Sequence, residues 1–219
     1  LLVLAGSYYL ATNYTPPPKS ARLWPDIPPS IATISTITGI LVLTFILGRL
    51  PPFWRTLNKY MAVISPQPQP LSMLGAVFRH DTFYHLAANV LVLWAFGPAL
   101  NTEVGRGSFL AIFLSAGAVG NFASLTRLVL TKQWTAWSFG ASGAVLGVLA
   151  ATCVVRPNGS VRLAPFLGSG EVPFASWVVL ALVMAAEVVA LRWRVGGRSD
   201  HVSHLGGMAT GVAAGMMLR

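Results

Sequence analysis

The sequence predicts an all-α, multi-pass membrane protein. Composition is the first reason: of 219 residues, 54% are hydrophobic and only 10% are charged, whereas a soluble domain carries roughly 25% charged residues. The mean hydropathy of +0.65 agrees. The second reason is patterning. Apolar runs at about 31–50, 83–100, 108–130, 138–155, 173–193 and 202–218 approach the ~20 residues that cross a bilayer core, the fourth and sixth being short. Lipid offers no partner to an unpaired backbone N–H or C=O, so each run is predicted to be a helix.

Taken in order, residues 1–11 form a seventh apolar stretch, too short to span. It reads as the cut end of an additional helix or as an interfacial segment. A chain that opens on Leu1-Leu2-Val3-Leu4 reads as a mature or trimmed form. Pro16-Pro17-Pro18, Pro25 and Pro28-Pro29 then mark an extended connector. The chain is thereby divided into an N-terminal segment, 1–30, and a six-helix core, 31–219. The connection at about 51–82 mixes Trp54, Tyr60, Ile64 and Phe78 with Arg55, Lys59 and Arg79. Such a segment belongs in the membrane interface. The single cysteine, Cys153, excludes an intrachain disulfide and lies in an apolar run, where packing is its expected role.

The formal net charge is +9, but the basic residues are scattered between apolar runs. With no basic stripe and no interleaved aromatics, nucleic-acid binding is excluded. Topology explains the charge instead. Nine basic residues (Arg49, Arg55, Lys59, Arg79, Arg127, Lys132, Arg192, Arg194 and Arg198) fall in the first, third and fifth connections, against six elsewhere. That bias places these connections on the cytoplasmic or matrix side.

Polar residues in lipid are costly and mark function. Spans alternate in direction, so the second, fourth and sixth open from one face. Near those three openings stand His85 with Asn89, Ser142 in Gly140-Ala141-Ser142-Gly143, and His204. Gly140, Gly143 and Gly147 at the fourth span, and Gly207 and Gly211 in the sixth, are read as helix-packing glycines, and the pairs 143/147 and 207/211 are spaced by four residues. Small residues at that spacing let helix backbones approach closely, which would bring Ser142 to His204. A serine hydroxyl becomes a nucleophile when a base takes its proton, and neutral imidazole suits that task. His85 and Asn89 share a helix face and, with N–H groups at the opening of the fourth helix, supply donors for an oxyanion. The expected chemistry is a Ser142–His204 dyad without a required Asp, and with no metal or other cofactor. Asp200 precedes His204 by four residues and is expected at the interface. Glu187 in the fifth span is read either as tuning lateral access or as a packing hydrogen bond. His201 and His204 at i,i+3 would permit a metal site, but no H-E-x-x-H accompanies them. A transporter using Glu187, Asn121 and Arg127 lacks paired discontinuous helices.

His85-Leu86-Ala87-Ala88-Asn89, Gly140-Ala141-Ser142-Gly143 and His204-Leu205-Gly206-Gly207 followed by Gly211 resemble the rhomboid family of intramembrane serine proteases over about 31–219. The resemblance implies a six-helix rhomboid-like bundle with Ser142 as nucleophile and His204 as base. It also implies an oxyanion hole of His85, Asn89 and the Ser142 amide, and a structural role for His80. His80-Asp81-Thr82-Phe83-Tyr84-His85, Leu114-Ser115-Ala116-Gly117 and Asp200-His201-Val202-Ser203-His204 resemble the mitochondrial, PARL-like branch. That branch implies an additional N-terminal helix, the mitochondrial inner membrane, and single-span membrane proteins as substrates. The Trp-Arg pair that many rhomboids carry before the second helix is replaced by Ser72-Met73-Leu74. A rhomboid-like protein that binds membrane helices without cutting them is the alternative.

Overall fold

The computed structural model describes residues 1–162, 171–193, 195 and 199–219. Helices dominate: α1 Leu2–Asn13, α2 Pro29–Leu47, α3 Trp54–Tyr60, the single turn α4 Ser72–Gly75, α5 Phe83–Leu130, α6 Ser142–Val155, α7 Ser176–Trp193 and α8 His201–Leu218. Two short antiparallel strand pairs accompany them, β1 Val63–Ile64 with β2 Trp137–Ser138 and β3 Ser160–Arg162 with β4 Glu171–Ala175. By length and apolarity α2, α5 and α7 can each cross a membrane. The protein is an all-α multi-pass membrane protein.

Three boundaries differ from the sequence expectation, each for a physical reason. The second and third runs are not separated by a loop. Helix continues through both, broken only at Gly105, whose φ of 79° and ψ of 163° suit glycine. Residues 85–89 and 121–128 nevertheless line one cavity. On a straight helix those stretches would stand about 50 Å apart at 1.5 Å per residue, so the arms 83–104 and 106–130 fold back on each other at Gly105. The fourth helix starts at Ser142 rather than 138, because Trp137 and Ser138 pair with Ile64 and Val63. The fifth starts at Ser176, residues 173–175 being drawn into β4. Residues 2–11 are helical. They belong to α1, which buries Ser7 and packs its Leu10 carbonyl and Tyr14 against Gly107, where a Cβ would meet the Leu10 oxygen at 2.5 Å. In the proline-rich connector, Arg22 Nε donates to the Pro17 carbonyl at 3.1 Å around a 3-10 turn at Lys19–Ala21. Of the basic residues assigned to the fifth connection, Arg194 and Arg198 lie outside the described residues.

The core runs from α2 through both arms of α5 to α6. Ile34, Leu41, Leu93, Phe109, Phe113, Val145 and Val148 are almost wholly enclosed. α6 lies at its centre, with ten of its 14 residues buried. α7 is the opposite: among its described residues Ser176 alone is buried, and Trp177, Leu182, Val188, Val189 and Trp193 are exposed, as a lipid-facing helix requires.

Candidate active site

Ser142 is delivered by a strap, 137–141, that starts as strand β2, turns helical at Ala141 and is held by the long first connection. The strap is fixed by the β1–β2 pairing and by the Gly140 N–H, which donates to the Ala76 carbonyl at 2.9 Å. The Ala141 N–H points at His80 Nε2 across 3.5 Å. Asn121 Nδ2 donates to the Met73 carbonyl at 2.9 Å, tying the same connection to α5. Gly140 has φ 137° and sits under the His85 ring, where a Cβ would lie 2.8 Å from His85 Cε1. Only glycine meets both demands. The first intrahelical bond of α6 joins the Val145 N–H to the Ala141 carbonyl at 2.8 Å. Ser142 therefore opens the helix, its N–H lacks an intrahelical acceptor, and it lies at the positive end of the helix dipole.

His204 is delivered by α8. Asp200 caps that helix, accepting from the Ser203 N–H at 3.2 Å. Its other carboxylate oxygen accepts from Ser138 Oγ at 2.6 Å and from Ser124 Oγ in a very short contact. One side chain thus ties the start of α8 to the strap and to α5. Along α6 and α8 the backbones touch. A Cβ on Gly207 would land on the Gly143 carbonyl oxygen, and one on Gly211 on the Gly147 carbonyl oxygen. Gly143 faces Ser203, whose Oγ a Cβ would meet at 3.0 Å, and Gly147 faces Ala116 and the Gly207 carbonyl. With the helices so close, Ser142 Oγ lies 2.8 Å from His204 Nε2.

His85, Asn89, Ser142 and His204 line a single cavity of about 970 Å³. Asn89 is buried and spends one amide N–H on the His85 carbonyl at 2.8 Å, leaving a second to donate. His85 Nδ1 lies 3.3 Å from Asp81 Oδ1. A ring that donates there keeps an Nε2 proton for an incoming oxyanion only as imidazolium. His80 is buried edge-on to His85, with ring centroids 4.8 Å apart. Burial, reinforced by the His85 ring, pushes the His80 imidazole down to about 3. It is neutral and supports the strap.

Sequence reasoning left His204 without an acid. In the structure Glu187 of α7 fills that place: its Oε2 lies 2.9 Å from His204 Nδ1 and 2.6 Å from His201 Nδ1. Asp200 is absorbed by its capping contacts. The three atoms from Glu187, His201 and His204 lie within 4.8 Å of one another, a grouping able to hold a metal ion. The two contacts have hydrogen-bond lengths, however. Neighbouring ligand atoms on a tetrahedral zinc with ~2.05 Å bonds stand about 3.3 Å apart. The roles of Ser124, Ser138 and Asn121 were also missed. Their only signal in the sequence is that they are polar within apolar runs.

Comparison with known proteins agrees with this architecture. The Rhomboid domain matches residues 67–219. The chain is 35% identical over 190 residues to "Rhomboid protein 1, mitochondrial" of Saccharomyces cerevisiae, covering 83% of this chain and 52% of that protein. It is 35% identical over 182 residues to "Presenilin-associated rhomboid-like protein, mitochondrial" of Homo sapiens, covering 81% and 46%. To "Rhomboid protease GluP" of Bacillus subtilis it is 30% identical over 146 residues, covering 67% and 25%. The chain spans about half the length of the mitochondrial relatives it matches. This chain belongs to the rhomboid family, as a mitochondrial, integral membrane rhomboid of the presenilin-associated rhomboid-like type.

Proposed function

We propose that the protein is an intramembrane serine endopeptidase that cleaves transmembrane segments of single-span proteins of the mitochondrial inner membrane. The observation that carries this is the 2.8 Å contact between Ser142 Oγ and His204 Nε2 at the wall of a large cavity inside an apolar bundle. A substrate helix reaches the cavity laterally and unwinds to expose a peptide carbonyl. Ser142 Oγ attacks the carbonyl carbon as its proton passes to His204 Nε2. The negative charge that forms on the carbonyl oxygen is met by the Ser142 N–H, the spare Asn89 amide N–H and His85. The tetrahedral species collapses, the C–N bond breaks, and His204 returns the proton to the leaving amine. Water then attacks the acyl-enzyme with His204 again as base, releasing the carboxylate product and restoring Ser142. His204 does this work without a cofactor.

An activated fluorophosphonate tests the proposal on the purified chain in mild detergent. Wild type is expected to label covalently, while Ser142→Ala and His204→Ala lose labelling entirely. A folded wild type that neither labels nor cleaves a single-span helix in liposomes would instead be a rhomboid-like binder of membrane helices.

A further inference from the structure

Glu187 is a carboxyl group on a lipid-facing helix, where an uncompensated charge is costly. Its Oε2 nevertheless contacts two imidazoles at once, and all three side chains are largely enclosed, with 17% exposure for Glu187, 13% for His201 and 14% for His204. The proton inventory explains both facts. If Ser142 donates to His204 Nε2, the His204 proton sits on Nδ1 and is donated to Glu187 Oε2 at 2.9 Å. His201 Nε2 lies 2.8 Å from the Val195 carbonyl oxygen, an acceptor only, so that nitrogen carries a proton. A neutral His201 would then turn a lone pair toward Glu187 Oε2 at 2.6 Å. Two lone pairs do not meet at that distance, so a further proton lies between them. Whether it resides on nitrogen or oxygen, the His201–Glu187 unit is electrically neutral, which lowers the cost of keeping it in an apolar helix. Oε2 still accepts from His204 in either state.

Resting on the proposed function, we propose that Glu187 is the positioning acid of His204 and that His201 holds Glu187 in place. The catalytic dyad then extends into a chain, Ser142–His204–Glu187–His201, that ends on the Val195 carbonyl. Glu187 fixes the His204 tautomer that leaves Nε2 free to take the serine proton, and it does so from a different helix than the one carrying the base. A bare packing hydrogen bond would need neither the second imidazole nor the shared proton.

The test is the saturation kinetics of fluorophosphonate labelling on the full chain, with thermal unfolding followed in parallel. Glu187→Leu is expected to lower the maximal labelling rate by at least about 100-fold, with the half-saturating probe concentration unchanged. Glu187→Gln can turn its amide N–H to His204 Nδ1 and favour the tautomer with the proton on Nε2, so it is expected to lower the maximal labelling rate as well, with half-saturation unchanged. His201→Leu is expected to fall between wild type and Glu187→Leu. A folded Glu187→Leu that labels at the wild-type rate overturns the proposal. A folded His201→Leu that labels at the wild-type rate overturns the role given to His201. If Glu187→Leu fails to fold, the Gln and His201 variants decide by the same split between rate and half-saturation. A wild type that never labels overturns the proposed function together with this proposal, whereas wild-type labelling lost in Ser142→Ala leaves the Glu187 question to its own variants.

Discussion

α8 meets its two neighbours in opposite ways. Against α6 it presents glycines, and the backbones press together until no Cβ fits at Gly207 or Gly211. Against α7, a helix with little of itself buried, it presents two imidazoles that hold one carboxyl group. The first contact is steric and apolar, and it sets the Ser142–His204 distance. The second is polar and sets which way the His204 ring points and where its proton lies. Position and orientation of one side chain are thus fixed from two sides by different physics.

Substitutions at the steric contact should have the largest effect. Gly207→Ala forces α6 and α8 apart at the level of the site. Destabilisation of about 3 kcal/mol and loss of fluorophosphonate labelling are expected together, measured by thermal unfolding in detergent and by labelling. Asp200→Ala comes next, because it removes the α8 cap and strands two serine hydroxyls. A loss of roughly 2–3 kcal/mol is expected, with labelling reduced but present, since the glycine contact persists.

A smaller effect concerns the bed beneath Ser142. His80 is held far below the usual imidazole value, so the unfolded chain binds a proton there that the folded chain refuses. Its stabilising contribution is therefore full above about pH 6.5 and is lost as pH falls toward 3. His80→Gln is expected to flatten the decline in unfolding temperature between pH 6.5 and pH 4 relative to wild type. The smallest effect belongs to the outer face of α7. Leu182 is 59% exposed, and Leu182→Ala is expected to change stability by less than about 0.5 kcal/mol and to label at the wild-type rate. A large loss there would mean that the outer face of α7 contributes to packing as its inner face, with Val179, Leu180 and Val183, does.

The sequence made one half of this contrast legible and hid the other. Glycines four apart announce a close helix contact whatever the surroundings, because only a missing side chain permits it. The alternation of spans likewise places His85, Ser142 and His204 at one end of the bundle, and all three line one cavity. The rotation of α7 about its axis was not readable. That helix is apolar nearly all round, so no polar stripe betrays the face that carries Glu187. The start of α6 was hidden for another reason. Phe139 and the residues before it look like the opening of a span, and only a strand pairing with residues 63–64, far away in the chain, keeps them extended. Asp200 read as an interfacial residue because its two serine partners come from positions 62 and 76 residues away.

The turn at Gly105 has a consequence for how the protein is made. Two membrane-crossing arms joined by a single residue leave no loop for the insertion machinery to hold back or to pass across separately. The arms must enter the bilayer as one hairpin, and the orientation of the first dictates that of the second. An error in threading would therefore invert both arms at once, carrying His85 and Ser124 to the wrong face together.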